Sequence, residues 1–172
     1  MRYFVDTEFV YTSGTCGAWL YPLSIGVVAE DGREFYRVSH GALHNTRVTR
    51  SFPQFVKQHV IPVLFQSGFG DDYILPLDLL AVDLREFIGD DTPEFWGDYS
   101  GFDYVALTTI MGGMDQWPDG WPMHINDLQQ DAIPSVESKQ PHNALADARA
   151  VRDAWNWAFQ VDPNDVYELP NE

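Results

Sequence analysis

The sequence has little cysteine, with Cys16 as the only one among 172 residues. A disulfide within the chain needs two thiols and a thiolate metal cluster needs several, so both are excluded. A membrane-spanning helix needs ~20 consecutive apolar residues, whereas Pro22 and Ser24 interrupt the most apolar stretch, residues 18–29. The amino terminus lacks the basic start and long apolar run of a signal peptide. We therefore expect a soluble protein of the cytoplasm, a reducing compartment, with no membrane partner.

Basic residues are also few, since ten Lys and Arg stand against 26 Asp and Glu and give a formal net charge of −16. Proteins that coat duplex nucleic acid neutralise its phosphates with many Lys and Arg side chains. The composition therefore excludes an architectural nucleic-acid-binding protein. It does not exclude an enzyme that binds a few nucleotides through bound cations, because the cations supply the positive charge.

Apolar residues, by contrast, make up 45% of the chain, enough for the core of a globular domain. We predict strands at 2–6, 23–29, 34–38 and 94–96, and helices at 51–65 (N-cap Ser51), 77–88, 101–111 and 143–159. Asp31-Gly32, between the second and third strands, is typical of a hairpin turn. This order predicts an α/β fold whose mixed sheet contains an antiparallel pair. Residues 1–160 form one predicted domain, followed by an acidic C-terminal tail at 161–172.

Two acids flank Thr7 at the predicted end of the first strand, in Asp6-Thr7-Glu8. Because side chains alternate across a strand, Asp6 and Glu8 project from one face and Thr7 from the other. Two carboxylates ~4 Å apart at an effective dielectric of ~20 repel by about 4 kcal/mol, so a nearby cation usually offsets the repulsion. An isolated D-x-E more often marks a solvated strand end. The apolar residues on both sides argue against that alternative, because they indicate a central strand.

Asp103 stands at the start of a predicted helix, in Ser100-Gly101-Phe102-Asp103. The same spacing matches a capping box, in which Asp103 would bond back to the backbone at the helix start. Capping and catalysis can coexist, because a helix start favours a nearby negative charge. Asp98, five residues earlier, is a competing acid that ranks below Asp103.

The segment from His142 to Asp147 opens the last predicted helix. If Asn143 caps that helix, Asp147 lies in its second turn and His142 in the loop before it, so both can face one point. Imidazole takes up protons near neutral pH and suits a general base beside metal-bound water. The alternative is a surface histidine beside an ordinary amphipathic helix. Each motif alone is a weak signal, but D-x-E, Phe-Asp and H-x4-D, in this order at element ends, together predict one catalytic site.

These motifs resemble those of the DEDDh 3′-5′ exonuclease family within the ribonuclease H-like superfamily. The likeness runs through nearly the whole chain and is carried by MRYFVDTEFV, LSIGVVAEDGREFYRVS, FWGDYSGFDYVAL and HNALADAR. Within the family, these segments look most like polyadenylate-specific exoribonucleases of mycobacteria and related phage proteins. The resemblance implies a ribonuclease H-like α/β fold with a mixed five-stranded sheet, one antiparallel strand, a central first strand and flanking helices. It also implies a homodimer.

The resemblance further implies the role of each site residue. Asp6, Glu8 and Asp147 would bind a first divalent cation. Asp6 would bridge to a second cation, which Asp103 would support directly or through water, and His142 would deprotonate the attacking water. The implied cofactors are two Mg²⁺ (or Mn²⁺) ions ~3.5–4 Å apart that clamp the scissile phosphate. The implied reaction removes nucleoside 5′-monophosphates from the 3′ ends of single-stranded RNA, with adenosine-rich ends as a candidate substrate.

Aromatic side chains can stack on the bases of a single strand, at ~1–3 kcal/mol per base. Phe9 and Phe102, next to the motif acids, are the candidate stacking residues, and Thr7 is a third candidate for substrate contact. Further candidates are the tryptophans of the irregular surface loop predicted for the Gly-, Trp- and Pro-rich stretch 112–124, Trp117 and Trp121.

Alternatives stay open at this point. The same site could belong to a phage-encoded single-stranded DNA exonuclease, because the sequence is silent on contacts to a 2′-hydroxyl. A non-catalytic binding module would be expected to lose a metal ligand or the histidine, and an acidic interaction domain would bind no Mg²⁺ or Mn²⁺. One departure leaves nucleotide positioning open: many relatives carry an Asn shortly before the middle Phe-Asp, where this chain has Tyr99-Ser100-Gly101.

Overall fold

The computed structural model describes residues 1–14, 17–41, 49–50, 52–66 and 73–159. The strands are β1 (Arg2–Gly14), β2 (Gly17–Ala29), β3 (Glu34–Ser39), β4 (Ile74–Leu75), β5 (Glu94–Gly97) and β6 (Asn126–Asp127). The α-helices are α1 (Leu77–Ile88), α2 (Gly101–Ile110) and α3 (Ala144–Phe159), with a π-helical turn at Val56–Val60 and a 3₁₀ turn at Met114–Gln116. The tail predicted at 161–172 and the candidate N-cap Ser51 lie outside the described residues, so the domain boundary stays a prediction.

One sheet of six strands organises the fold, in the order β4-β3-β2-β1-β5-β6. β2 runs antiparallel to both of its neighbours, whereas the pairs β1–β5, β5–β6 and β3–β4 are parallel. The α/β class, the mixed sheet with one antiparallel strand and the central β1 are therefore confirmed. The sheet has six strands instead of five, with the two-residue strands β4 and β6 at its edges. Segments so short carry no alternating pattern that a sequence could reveal.

β1 is longer than the predicted segment 2–6. It pairs with β2 as far as Gly14, but with β5 only as far as Phe4. Asp6 and Glu8 therefore stand within the strand and not at its end, which corrects the prediction. They nevertheless lie just past the carboxyl end of the parallel β1–β5 pair, and that end of a parallel sheet is where ligand sites are found in α/β folds.

Helices cover both faces of the sheet. α3 packs on one face, through a core that includes Phe4 of β1 and Leu145. α1 and α2 pack on the other face, through a core that includes Tyr3 of β1 and Leu107. Because side chains alternate along a strand, Phe4 and the next even-numbered residues of β1 point toward α3, and Tyr3 and the next odd-numbered residues point toward α2.

Gly26 sets how closely α3 approaches the sheet. It lies opposite Asp6 in the β1–β2 ladder. A methyl group at Gly26 would lie 2.3 Å from the backbone carbonyl carbon of Ala144, the first residue of α3. Glycine within a strand commonly marks such a close approach of another backbone. The start of α3 is thereby held against the strands at the level of Asp6.

The helix predictions hold for α1, α2 and α3 to within a residue at each end. Asn143 caps α3 as predicted, because its Oδ1 accepts a hydrogen bond from Ala146 N at 3.1 Å. The helix predicted at 51–65 is wrong in its extent, since helix covers only residues 54–60 and turns follow. Pro62 accounts for this, because it lacks an N–H and its ring opposes a continued helix. No helix in the described part of the chain has the length and apolar character needed to cross a membrane.

The stretch 112–124 is irregular, as predicted, but its tryptophans are not a free surface. Trp121 is 9% exposed, and its ring centroid lies 5.4 Å from that of Phe95 in β5. Trp117 packs on Trp121 at 5.9 Å. Trp121 belongs to the core on the α1–α2 side of the sheet and the half-buried Trp117 packs against that core, so the structure does not favour either ring as a base-stacking residue.

Candidate active site

Asp6 and Glu8 project from β1 toward α3. Alternation puts both on the face of Phe4, whose ring lies 5.9 Å from that of Trp155 in α3. Asp147 reaches the same place from the first turn of α3. One carboxylate oxygen from each of Asp6, Glu8 and Asp147 lies within 4.8 Å of the other two. The structure therefore brings three of the four predicted acids together in what we call the three-acid cluster.

The three-acid cluster fits a divalent metal ion. Carboxylate oxygens are the ligands that Mg²⁺ and Mn²⁺ prefer in proteins. Asp6 Oδ2 is buried and has no hydrogen-bond partner within the described residues. A buried polar atom normally has such a partner. No donor of the described residues contacts Asp6 Oδ2, and this unpaired oxygen therefore indicates a site for a positively charged ligand.

Without a cation, the acids of the cluster hold their protons more tightly than usual. Burial, followed by the charges of Asp103 and Asp147, raises the pKa of Asp6 well above its ordinary value. Burial, followed by the charges of Asp147 and Asp103, raises the pKa of Glu8 to about 8. Burial also raises the pKa of Asp147, against hydrogen bonds that favour its ionised form. A bound cation would reverse these shifts, because a nearby opposite charge favours ionisation.

Asp103 lies on the other face of β1, in the first turn of α2. Its Oδ1 accepts hydrogen bonds from Thr7 N at 2.9 Å and from Thr7 Oγ1 at 2.5 Å. Burial raises the pKa of Asp103 to about 6, and the Thr7 hydrogen bonds oppose the rise. Ser100, the N-cap residue of α2, makes no side-chain cap hydrogen bond. The geometry therefore favours a role for Asp103 at β1 over the capping box.

His142 stands in the loop just before α3, as predicted. Its backbone has a φ of 68°, a left-handed conformation that is uncommon for residues other than glycine. Its backbone N–H donates a hydrogen bond to Asp147 Oδ2 at 2.9 Å. The imidazole contacts the ring of Phe55 edge-on, with a centroid distance of 5.0 Å. The main chain of His142 is thus tied to the three-acid cluster, and its side chain to the segment before Val56–Val60.

Sequence reasoning missed the segment that closes the third side of the site. A cleft of about 180 Å³ is lined by Asp6, Asp147 and Asp98 together with residues of 128–138. Asp98 does not stand free in it, because its carboxylate accepts hydrogen bonds from Gln129 Nε2 at 2.7 Å and Ser135 Oγ at 2.6 Å. These bonds hold the segment beside the acids. The segment contains no helix and no strand pattern, so only its short polar residues could have indicated it.

Exposed aromatic rings flank the site on the Thr7 face of β1. The ring centroids of Phe9 and Phe102 are 5.6 Å apart. Tyr11, farther along β1, lies edge-on to Phe102 at 6.1 Å. Phe102 and Tyr11 are each 55% exposed. The predicted pair Phe9–Phe102 therefore forms a surface patch with a third member, Tyr11, that the sequence did not single out.

Two curated proteins of Mycobacterium tuberculosis are similar to this chain over most of its length. They are the 3′-5′ exoribonuclease MT2234.1 of strain CDC 1551 / Oshkosh and the 3′-5′ exoribonuclease Rv2179c of strain H37Rv. Each is 34% identical over 162 residues, which cover 87% of this chain and 88% of the relative. The chain belongs to the DEDDh 3′-5′ exonuclease family. No family model matches the sequence.

Membership in the DEDDh exonuclease family confirms the resemblance inferred from the motifs and makes the protein a hydrolase. In this exonuclease the predicted residues fall into two groups around β1. Asp6, Glu8 and Asp147 meet on the α3 side, with the backbone of His142 attached. Asp103 meets Thr7 on the α2 side. The roles assigned to these residues individually stay predictions.

Proposed function

We propose that this exonuclease hydrolyses single-stranded RNA from its 3′ end and releases nucleoside 5′-monophosphates, with divalent cations as cofactors. The strongest support is the three-acid cluster, whose ligand oxygens all lie within 4.8 Å of one another. Both relatives are named 3′-5′ exoribonuclease, which supports RNA as the substrate and the 3′ end as the start. The sequence resemblance alone supports a preference for adenosine-rich 3′ ends.

Asp6, Glu8 and Asp147 would hold one Mg²⁺ or Mn²⁺ ion. Asp103 would support a second ion, directly or through water, with Oδ2, because Thr7 donates to Oδ1. When bound, such ions stabilise the negative charge that develops on the scissile phosphate and on the departing 3′ oxygen. In a chain with a net charge of −16, they would also supply positive charge that the side chains lack.

His142 would take the proton from the attacking water. A general base must come within hydrogen-bond reach of the proton that it removes. The hydrogen bond from His142 N to Asp147 Oδ2, at 2.9 Å, ties the loop that carries the imidazole to the cluster. The side chain is only partly buried, so it can return the proton to solvent after each turnover.

Phe9, Phe102 and Tyr11 would hold the bases at the 3′ end. Stacking tolerates any base, because every base has a π-face, and Phe102 and Tyr11 are each 55% exposed. Thr7 differs, since it is 5% exposed and its hydroxyl donates to Asp103. We therefore propose that Thr7 acts on substrate through Asp103 and not through direct contact.

A time course on 5′-labelled and 3′-labelled homopolymer RNAs, with and without Mg²⁺, tests the proposal. We expect the 5′-labelled RNA to shorten progressively and the 3′-labelled RNA to release its label first as a mononucleotide. Both reactions should stop when a chelator removes Mg²⁺. Matched single-stranded DNA belongs in the same assay. Preferred cleavage of DNA, release starting at the 5′ end, or activity that resists the chelator would contradict the proposal.

The homodimer implied by the resemblance is a separate proposal. Sedimentation velocity on the whole chain at several concentrations would test it. A species of twice the chain mass is expected, and a monomer throughout the range would overturn this part without affecting the reaction.

A further inference from the structure

Phe55 is an exposed phenylalanine that contacts two histidine rings beside the candidate site. It is 53% exposed. Its ring centroid lies 4.9 Å from that of His59 and 5.0 Å from that of His142. The two histidine rings are 6.3 Å apart. The three rings therefore form a triangle in which Phe55 contacts both the candidate general base and a second histidine, and an exposed phenylalanine there is not explained by packing of the core.

The segment that carries Phe55 is anchored to the core. Val56 and Val60 are both buried, at 7% and 2% exposed. These two valines face the core, whereas Phe55 and His59 are exposed, and the planes of their rings are inclined by 35°. The phenyl ring of Phe55 therefore packs against His59, which the same anchored turn carries.

The same segment is also tied to the chain on both sides of His142. Asn143 Nδ2 donates a hydrogen bond to Val63 O at 3.0 Å. Gln140 Nε2 donates to Gln66 Oε1 at 2.7 Å. The residue after His142 and a residue before it are therefore both hydrogen-bonded to 63–66, a few residues after the helical turn. Hydrogen bonds therefore connect the segment that carries Phe55 to the chain on both sides of His142.

The backbone hydrogen bond of His142 does not restrain the rotation of its imidazole ring. The hydrogen bond from His142 N to Asp147 Oδ2 fixes the main chain, but it does not fix the rotation of the side chain. The edge-on contact with Phe55, at an interplanar angle of 86°, restricts that rotation. Edge-to-face contact is a favoured arrangement of aromatic rings.

We propose that Phe55 is a positioning residue for His142, and that His59 supports Phe55 in that role. This inference rests on the proposed function, because it takes His142 as the general base. The phenyl ring limits the orientations that the imidazole samples, so a larger fraction of His142 is oriented to accept the proton of the attacking water. Phe55 itself touches neither the substrate nor the cations.

A double-mutant cycle on kcat and KM for 5′-labelled adenosine homopolymer RNA tests the proposal. We expect Phe55→Ala to lower kcat by roughly tenfold, below the ~10²–10⁴ that a general base supplies, with KM changed less than twofold. Phe55→Tyr, which keeps the ring, should restore kcat. In a His142→Ala background, Phe55→Ala should have no further effect on kcat. Phe65→Ala, which removes a 48% exposed phenylalanine from the same segment, is the matched control and should behave as wild type.

Three outcomes would overturn the positioning role. If Phe55→Ala raised KM and left kcat unchanged, the ring would be a base-stacking surface. If its loss of kcat persisted in the His142→Ala background, Phe55 would act by some other route. Wild-type RNA hydrolysis with a normal kcat for Phe55→Ala would refute this inference alone, whereas absence of RNA hydrolysis by the wild type would refute the proposed function.

A proton NMR measurement on the whole, metal-free chain tests the contact without any activity assay. The His142 ring protons should be shifted by the ring current of Phe55. We expect Phe55→Leu, which preserves an apolar side chain without a ring, to move those resonances toward the values of a histidine in water, and Phe65→Leu to leave them in place. Unchanged His142 resonances in Phe55→Leu would contradict the contact on which the proposal depends.

Discussion

The acids on the two faces of β1 differ in the hydrogen-bond donors that they meet. On the α2 face, Thr7 donates two hydrogen bonds to Asp103, and the pKa of Asp103 rises only to about 6. On the α3 face, Asp6 keeps a buried oxygen without a partner within the described residues, and the pKa of Glu8 rises to about 8. On one side of the strand Thr7 therefore donates to one oxygen of Asp103, and on the other side no donor of the described residues reaches Asp6 Oδ2.

The largest effect should come from removing a charge on the cation side. Asp6→Asn keeps the shape of the side chain but replaces a charged ligand by a neutral one, and the loss of several kcal/mol of charge stabilisation should reduce turnover by ~10³-fold or more. The same variant should melt at a higher temperature than the wild type in metal-free buffer at pH 8, because Asn has no ionised form that burial in the metal-free cluster disfavours. Labelled-RNA assays and thermal melts check both results. Turnover within tenfold of the wild-type rate would show that the reaction does not need the charge of Asp6.

The next effect should come from forcing the two sides of the cation site apart. In Gly26→Ala the new methyl group would lie 2.3 Å from the backbone of Ala144, so α3 must shift and carry Asp147 away from Asp6. A displacement of about 1 Å can cost ~10²-fold in rate, and overpacking destabilises by about 1–3 kcal/mol. Gly101→Ala is the control for stability, because a methyl group there meets nothing within 4 Å. Equal melting temperatures for the two variants would contradict the close approach.

The contact between Gly26 and the start of α3 is a feature of the site that the sequence does not predict. The alternation of a strand was enough to place Asp6 and Glu8 on one face, and the Asn143 cap was enough to place Asp147 at the start of α3. Both are local rules, which depend on residues close in sequence. The depth at which α3 meets the sheet depends on Gly26, more than a hundred residues before the helix, and nothing near either segment indicates that pairing.

The same limit applies to the rest of the site. β6 has two residues, and Asp127 within it accepts hydrogen bonds from the backbone N and Oγ of Ser100. That contact replaces the capping box predicted for Ser100, because a side chain distant in the sequence competes for the same donors. The Phe55–His142 contact likewise joins segments that no local pattern relates.

A smaller effect is expected on the side where the protein supplies the donors. Thr7→Val removes the hydroxyl that donates to Asp103 at 2.5 Å, while the backbone donor at 2.9 Å remains. A hydrogen bond to a charged group contributes about 1.5–3 kcal/mol, so we expect a loss of about tenfold in kcat as Asp103 loses its fixed orientation. Thr7→Ser retains the hydroxyl and should stay near wild type. If Thr7→Val and Thr7→Ser had equal rates, the bond would have no part in orienting Asp103.

The smallest effect should appear in the pH dependence of stability of the metal-free protein. The pKa of Glu8 rises on folding from 4.5 to about 8, chiefly through burial. Below pH ~4.5 the folded and unfolded chains both carry the proton, so stability is unaffected. Between pH ~4.5 and about pH 8 the folded state binds more protons than the unfolded state, so stability falls as pH rises. Above about pH 8 the whole cost of ionising Glu8 in the folded state is present. The melting temperature should therefore drop by a few degrees from pH 5 to pH 8.

Saturating Mg²⁺ should abolish or reverse this drop, because an ion that binds only the folded state stabilises it and favours the ionised acids. Glu8→Gln removes the titrating group on the cation side and should flatten the metal-free curve, whereas Thr7→Val, on the other face of β1, should leave most of the drop in place. This pair of variants separates the two faces in one measurement. A metal-free melting temperature that rose from pH 5 to pH 8 would contradict the raised pKa of Glu8. A Glu8→Gln curve as steep as that of the wild type would show that Glu8 does not cause the drop.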